Sequence, residues 1–170
     1  MSRIQPLIRI PIGVVVERRR AKSAWADFIW RPVAVLPGIP HAAPWTELES
    51  AADRTHYYGG AAEIELNRAD ASGYRDNLAT GAGLLWVALR STGVEPPYKI
   101  AAVTAEPSEG EALTENAGDI VDTVPMPELV RAVISEFVAA HYVEHPFVKR
   151  QRDRADPEAM ARRGPLKGRK

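Results

Sequence analysis

Along residues 7–18 the even positions are Ile8, Ile10, Ile12, Val14 and Val16, set against Arg9, Pro11, Gly13, Val15 and Glu17. A period of two is that of a strand with one buried face. Pro11 has no N–H to donate, which places this strand at an edge or beside a bulge. A second run over residues 25–36 brings Phe28, Trp30, Ala34 and Leu36 to one side, and the two runs predict a hairpin. Pro37, Gly38 and Pro40 end it, and residues 41–54 read as a loop with room for one helical turn at 44–52. Residues 55–59 and the alternation Ala62, Ile64, Leu66 predict a third and a fourth strand. Gly59 and Gly60 between them suit a hairpin turn that needs positive φ.

Residues 70–83 form a polar connection with helix-compatible content. The unbroken apolar run 84–89 then predicts a central strand covered on both faces, with Trp86 in the core. Residues 98–104 supply a sixth strand, and the acidic stretch 106–118 predicts a short helix with Ser108 as its N-cap. Over residues 127–145 the positions Leu129, Val130, Val133, Ile134, Phe137, Val138, His141 and Tyr142 recur at helical spacing. Pro127 and Pro146 bracket that helix. The connections among the first four strands are too short for helical crossovers, so antiparallel pairing follows. The expected fold is α+β, a mainly antiparallel sheet or partly open barrel of about six strands with short helices and one packed C-terminal helix.

Charge divides the chain. The formal net charge is zero, yet residues 149–170 hold nine basic and three acidic residues, a net of +6 that leaves −6 for residues 1–148. The expected organisation is a single domain over 1–148 and a basic tail over 149–170 with too few apolar residues to offset the entropy of ordering it. Such a tail solubilises or docks on an acidic partner; nucleic acid fits less well, because no aromatic residue is interleaved after Phe147 to stack on bases. The absence of cysteine excludes disulfides, thiolate metal sites and cysteine nucleophiles. No apolar run approaches the roughly 20 residues of a membrane-spanning helix, and the first residues read into a strand and not a secretory signal, so a cytoplasmic protein without membrane association is expected.

Chemistry-bearing patterns are sparse. His141, Glu144 and His145 share a helical face at a spacing from which two imidazoles can hold one metal ion, although a third ligand would have to come from His41, His56 or a carboxylate. The competing reading keeps His141 in the apolar stripe and His145 at the helix C-terminus, where a cation is favoured. Neither the Gly59–Gly60 pair nor residues 79–83 has the glycine and lysine spacing of a phosphate loop, and no serine-nucleophile elbow occurs. Trp25 and Trp30, an odd number of residues apart, face opposite sides of one strand, so one of them is expected off the core as a partner anchor. The run Glu17 to Arg20 reads as a solvated strand end whose arginines can grip a carboxylate or phosphate.

The segments VVVERR (14–19), WADFIWRPVAVLPG (25–38), IELNRADASGYRDNL (64–78), VPMP (124–127) and FVKRQR (147–152) together resemble a proteobacterial family of short, functionally uncharacterised proteins. Its genes often lie beside those of molybdenum- or tungsten-dependent formate dehydrogenase, and some members carry the label molybdopterin-guanine dinucleotide biosynthesis protein A. A guanylyltransferase of that kind has a glycine-rich nucleotide loop after its first strand, whereas Val16 here is followed by Glu17, Arg18, Arg19 and Arg20. The resemblance therefore implies a non-catalytic accessory or maturation-type protein of molybdenum-dependent formate dehydrogenase, with that enzyme or its maturation proteins as partners. The alternative is a small-ligand or molybdenum-cofactor-binding domain in molybdopterin-guanine dinucleotide biosynthesis. The polar positions that match the family are Glu17, Arg18, Arg31, Tyr74, Asn77, Lys149 and Arg150, with Phe147 opening the docking segment. Arg18 and Arg31 are the candidates for binding an anionic group, while Tyr74 and Asn77 can also order their turn through backbone hydrogen bonds.

Overall fold

A computed structural model of the chain describes residues 6–146 together with Val148 and Lys149. The fold is α+β with two antiparallel sheets. In the first, β1 (Ile8–Arg20) lies between β2 (Phe28–Pro37) and β4 (Arg54–Leu66), and β3 (Thr46–Ser50) pairs with the start of β4. In the second, β5 (Leu84–Ser91) lies between β6 (Tyr98–Thr104) and β7 (Asp119–Pro125). A 3-10 turn at Arg68–Asp70 leads into α1 (Ala71–Ala79), α2 (Pro107–Leu113) connects β6 to β7, and α3 (Glu128–His141) packs on α1. The sheets approach along β2 and β7 and along β4 and β6. No ladder joins them among the described residues, so the barrel is not closed.

One core fills the space between. The even positions Ile10, Ile12, Val14 and Val16 of β1 meet Ile64 and Leu66 of β4, Leu85, Val87 and Leu89 of β5, and Val130, Ile134 and Phe137 of α3. Each of these side chains contributes about 1.5–3 kcal/mol by leaving water. The unbroken apolar run of β5 is explained by its place: its odd positions enter this core, while Trp86 turns to the other face, half-buried beneath α2. There Gly110 comes so close that a Cβ would stand 2.2 Å from the indole. Trp86 is thus outside the main core, contrary to the sequence expectation.

Other expectations are corrected. Gly59 and Gly60 do not turn a hairpin; β4 runs through them without a break. The register steps from Val14 opposite Gly60 to Val15 opposite Tyr58, leaving Gly59 as the extra residue of a β-bulge. Gly60 takes the positive φ of +131° that the bulge requires, and a Cβ on Gly59 would lie 2.8 Å from Val16 Cγ2. A strand, β3, replaces the expected loop around 46–50; its sequence TELES is exposed throughout and carries no apolar alternation to betray it. β7 falls between the short helix expected at 106–118 and the helix expected from 127, in residues to which the sequence pattern assigns no element. The cap of α2 is Glu106 and not Ser108: its carboxylate accepts the Glu109 N–H at 2.7 Å, with Pro107 opening the helix. The α3 stripe is narrower than expected, since Leu129 is exposed. β1 is not the edge strand that Pro11 suggested, since it lies between β2 and β4; Pro11 is accommodated because β1 gains its second partner strand only from Ile12 onward. No helix among the described residues is long and apolar enough to cross a membrane.

Candidate functional site

Strand register places Glu17 of β1 directly opposite Arg31 of β2 and His56 of β4, and His56 opposite Glu49 of β3. Because side chains alternate between faces, these four form one row across the whole first sheet, on the side away from the core. Glu17 is only 3% exposed. Its Oε1 accepts a hydrogen bond from Arg31 Nε at 3.0 Å, and its Oε2 lies 3.1 Å from His56 Nε2. Arg19, two residues along on the same face, brings Nε to 3.2 Å of Oε1 as an ion pair without hydrogen-bond geometry. His56 Nδ1 stands 3.7 Å from Glu49.

Burial pushes the Glu17 carboxyl up, but the hydrogen bonds from His56 and Arg31 and the charges of Arg31 and Arg19 outweigh it, so its pKa falls below the ordinary carboxylate value. The row is therefore a fixed anion clothed in cations. The Arg31 and Arg19 side chains remain 49% and 42% exposed, and a guanidinium has five donors in a rigid fork. With one donor of each turned to Glu17, the others face outward, held in place by a buried carboxylate. A preset pair of guanidiniums is suited to carboxylate recognition, because little side-chain entropy is left to lose on binding.

The first sheet and its β1–β2 connection also expose large apolar groups. Ile29, cross-strand from Arg19, is half-exposed, and Trp25 in the β1–β2 connection is 95% exposed. Trp25 precedes β2 instead of lying in it, so the expected choice between two opposite-facing tryptophans is settled by position: Trp25 is the free one. Trp30 lies with Trp45, Tyr57 and Tyr98 in an aromatic cluster at ring separations of 5.9 Å. Arg18 sits over that cluster, 4.5 Å from the Phe28 ring centroid and 5.5 Å from that of Tyr57, a cation–π arrangement.

The candidates read from the sequence thus separate. Glu17 and Arg31 are brought together, but Arg18 turns to the opposite face, as its odd offset from Glu17 requires. The expectation of a solvated end at Glu17 to Arg20 is corrected, because Glu17 is buried by its cross-strand neighbours. Tyr74 and Asn77 lie elsewhere, on α1, with all their polar capacity directed at backbone. Asn77 Nδ2 donates to the carbonyls of Leu84 and Ala105, both at 2.8 Å, and its Oδ1 accepts the Leu84 N–H at 2.9 Å. The Tyr74 hydroxyl accepts the Asn67 N–H at 3.1 Å and donates to the Glu65 carbonyl at 3.4 Å. α3 ends at His141 with Tyr142 already extended, so Glu144 and His145 lie beyond the helix and do not share a helical face with His141, contrary to the sequence expectation. His141 and His145 nevertheless line one cleft, in which no third metal-binding side chain joins them among the described residues. Lys149 is exposed at the end of the described chain; Phe147, Arg150 and the rest of the predicted tail lie outside the described residues. Sequence reasoning missed Arg19, His56 and Glu49 as members of the row. Arg19 was legible from its even offset to Glu17, but His56 and Glu49 required the register.

Fold and row together define a small α+β protein with a prearranged charged and apolar face on its larger sheet. The chain belongs to the family described as Protein of unknown function (DUF3305), whose profile matches residues 11–151. No curated protein and no solved structure matches it.

Proposed function

We propose that this chain is a non-catalytic accessory protein that docks a protein partner on the outer face of its first sheet. The observation that carries the reading is exposed Ile29 directly cross-strand from Arg19, one of the two guanidiniums organised by buried Glu17, with exposed Trp25 in the β1–β2 connection that leads into the strand of Ile29. A large aromatic anchor beside arginine is the composition of an interaction hot spot, and outward donors on a buried carboxylate fit an acidic segment of the partner. The partner class, molybdenum-dependent formate dehydrogenase or its maturation proteins, comes from the sequence resemblance, and a cytoplasmic location is part of the same reading.

The test is affinity capture of the full chain from its native host during growth on formate, in parallel with Trp25→Ser and Ile29→Ser. The expected result is enrichment of formate dehydrogenase or its maturation proteins with the unaltered chain, reduced at least tenfold by either substitution. Enrichment unaffected by both would remove the docking face from the proposal. A capture containing neither protein class would remove the partner.

A further inference from the structure

A cleft of about 510 Å³ separates the start of α1 from the end of α3 and the chain beyond it. Arg68, Ser72, His141, Tyr142 and His145 line it, with Ala71 and Val143 among its apolar walls. No carboxylate lines it, and Arg68 has no ion-pair partner among the described residues. Two of these groups, His141 and Tyr142, are held in place from behind. The His141 imidazole packs on the buried Phe137 ring at 4.5 Å between centroids. The Tyr142 hydroxyl is hydrogen-bonded to Arg75, whose guanidinium also lies 4.6 Å over the phenol ring and is tied to Asp76 at 3.1 Å.

The His141 and His145 spacing first suggested a metal, but Arg68 in the same cleft opposes a cation, and no carboxylate supplies the missing ligand. The same set favours the opposite charge. One guanidinium and two imidazoles line the cleft together and offer N–H donors to the oxygens of a tetrahedral oxyanion, while the apolar walls can cover an organic body. We infer that this cleft binds a small organic phosphate monoester, its phosphate between Arg68, His141 and His145 and its apolar part against Ala71 and Val143. This site is separate from the docking face and does not depend on it.

The test is titration of the full chain at pH 6 with phenyl phosphate, following the imidazole proton signals by NMR, with inorganic phosphate and benzyl alcohol as partial ligands. Expected are saturable, concerted shifts of His141 and His145 with a Kd in the millimolar range or tighter, no comparable shift of His56, and binding weakened about tenfold for either partial ligand. Arg68→Ala should weaken phenyl phosphate at least tenfold, and Arg68→Lys should restore part of it. Absence of saturation, equal binding by Arg68→Ala, or shifts centred on His56 would overturn the assignment. So would zinc binding that moves His141 and His145 together and tightens in Arg68→Ala.

Discussion

Two polar clusters are built into this molecule, and they use their capacity in opposite ways. Around α1, Asn77 and Tyr74 are buried and direct their hydrogen bonds at the backbone of β4, β5 and the β6–α2 connection. Across the first sheet, Glu17 is equally buried, but its partners are long cations with donors left over. The neutral cluster closes on itself and fastens the second layer to the first. The charged one is anchored inside and open outside. Burial alone therefore does not separate architecture from recognition in this chain; what separates them is whether the partners of the buried group still have something to offer solvent.

The largest effect expected is at the closed cluster. Asn77→Ala removes three hydrogen bonds and strands two carbonyls and one N–H at a junction of α1, β5 and the β6–α2 connection. Each buried group left unpaired costs about 1–3 kcal/mol, so a loss of about 3 kcal/mol or more in chemical denaturation is expected, with incomplete folding as the extreme outcome. A loss under about 1 kcal/mol would mean that Asn77 does not hold this junction, and the contrast would fail on its architectural side.

Next is Glu17→Gln, which keeps the shape of the row and removes its charge. A loss of about 1–3 kcal/mol at neutral pH is expected, since Arg19, Arg31 and His56 lose their common anion. The folded pKa of Glu17 is depressed, so its contribution is present above the unfolded value of about 4.3 and disappears as pH falls through the folded value. Thermal melts from pH 7 to pH 3 should show the unaltered chain converging on the glutamine variant. A gap that stays constant across that range would assign the row to packing.

How far these sites were legible follows from the kind of information each needs. The core face of β1 could be read from alternation alone, and so could the side of β4 that carries Ile64 and Leu66. The packed α3 could be read from its 3.6-residue period. β3 could not, because Leu48 is the one apolar residue in TELES, too few to show an alternation, and the segment exists as a strand only through pairing with β4. Gly59 and Gly60 misled for a related reason: glycine marks a need for unusual backbone, and only the partner strand decides between a turn and a bulge. The same limit hid most of the candidate site. Glu17 and Arg31 were visible as polar residues, whereas the identity of their neighbours, His56 and Glu49, is a property of register between strands distant in sequence.

A smaller effect is expected at Tyr74. Tyr74→Phe keeps the edge-on contact with Phe137 at 5.9 Å and removes the hydroxyl, for an expected loss of about 1 kcal/mol at neutral pH. Burial, reinforced by the charges of Asp70, Glu109 and Glu106, pushes the Tyr74 hydroxyl up to about 12 against the lowering effect of its bond from Asn67. Its contribution is therefore complete below about pH 10, the ordinary value, and lost as pH rises towards 12. The difference between the two chains should shrink over that alkaline interval, measured as the shift in melting temperature at each pH.

The smallest effect on stability should come from the residue with the largest role on the open face. Trp25 is 95% exposed and lies in the β1–β2 connection, where the Ala21 N–H to Asp27 carbonyl bond of 2.9 Å closes the turn without it. Trp25→Ser should therefore change stability by less than about 0.5 kcal/mol, as surface substitutions away from packed features do, and its melting curve should overlay that of the unaltered chain. The same substitution is expected to reduce partner capture at least tenfold, so stability and binding should come apart at this position as they cannot at Asn77. If Trp25→Ser instead cost 1 kcal/mol or more, the indole would be contributing to the fold, and the open face would lose the free anchor on which its contrast with the closed cluster depends.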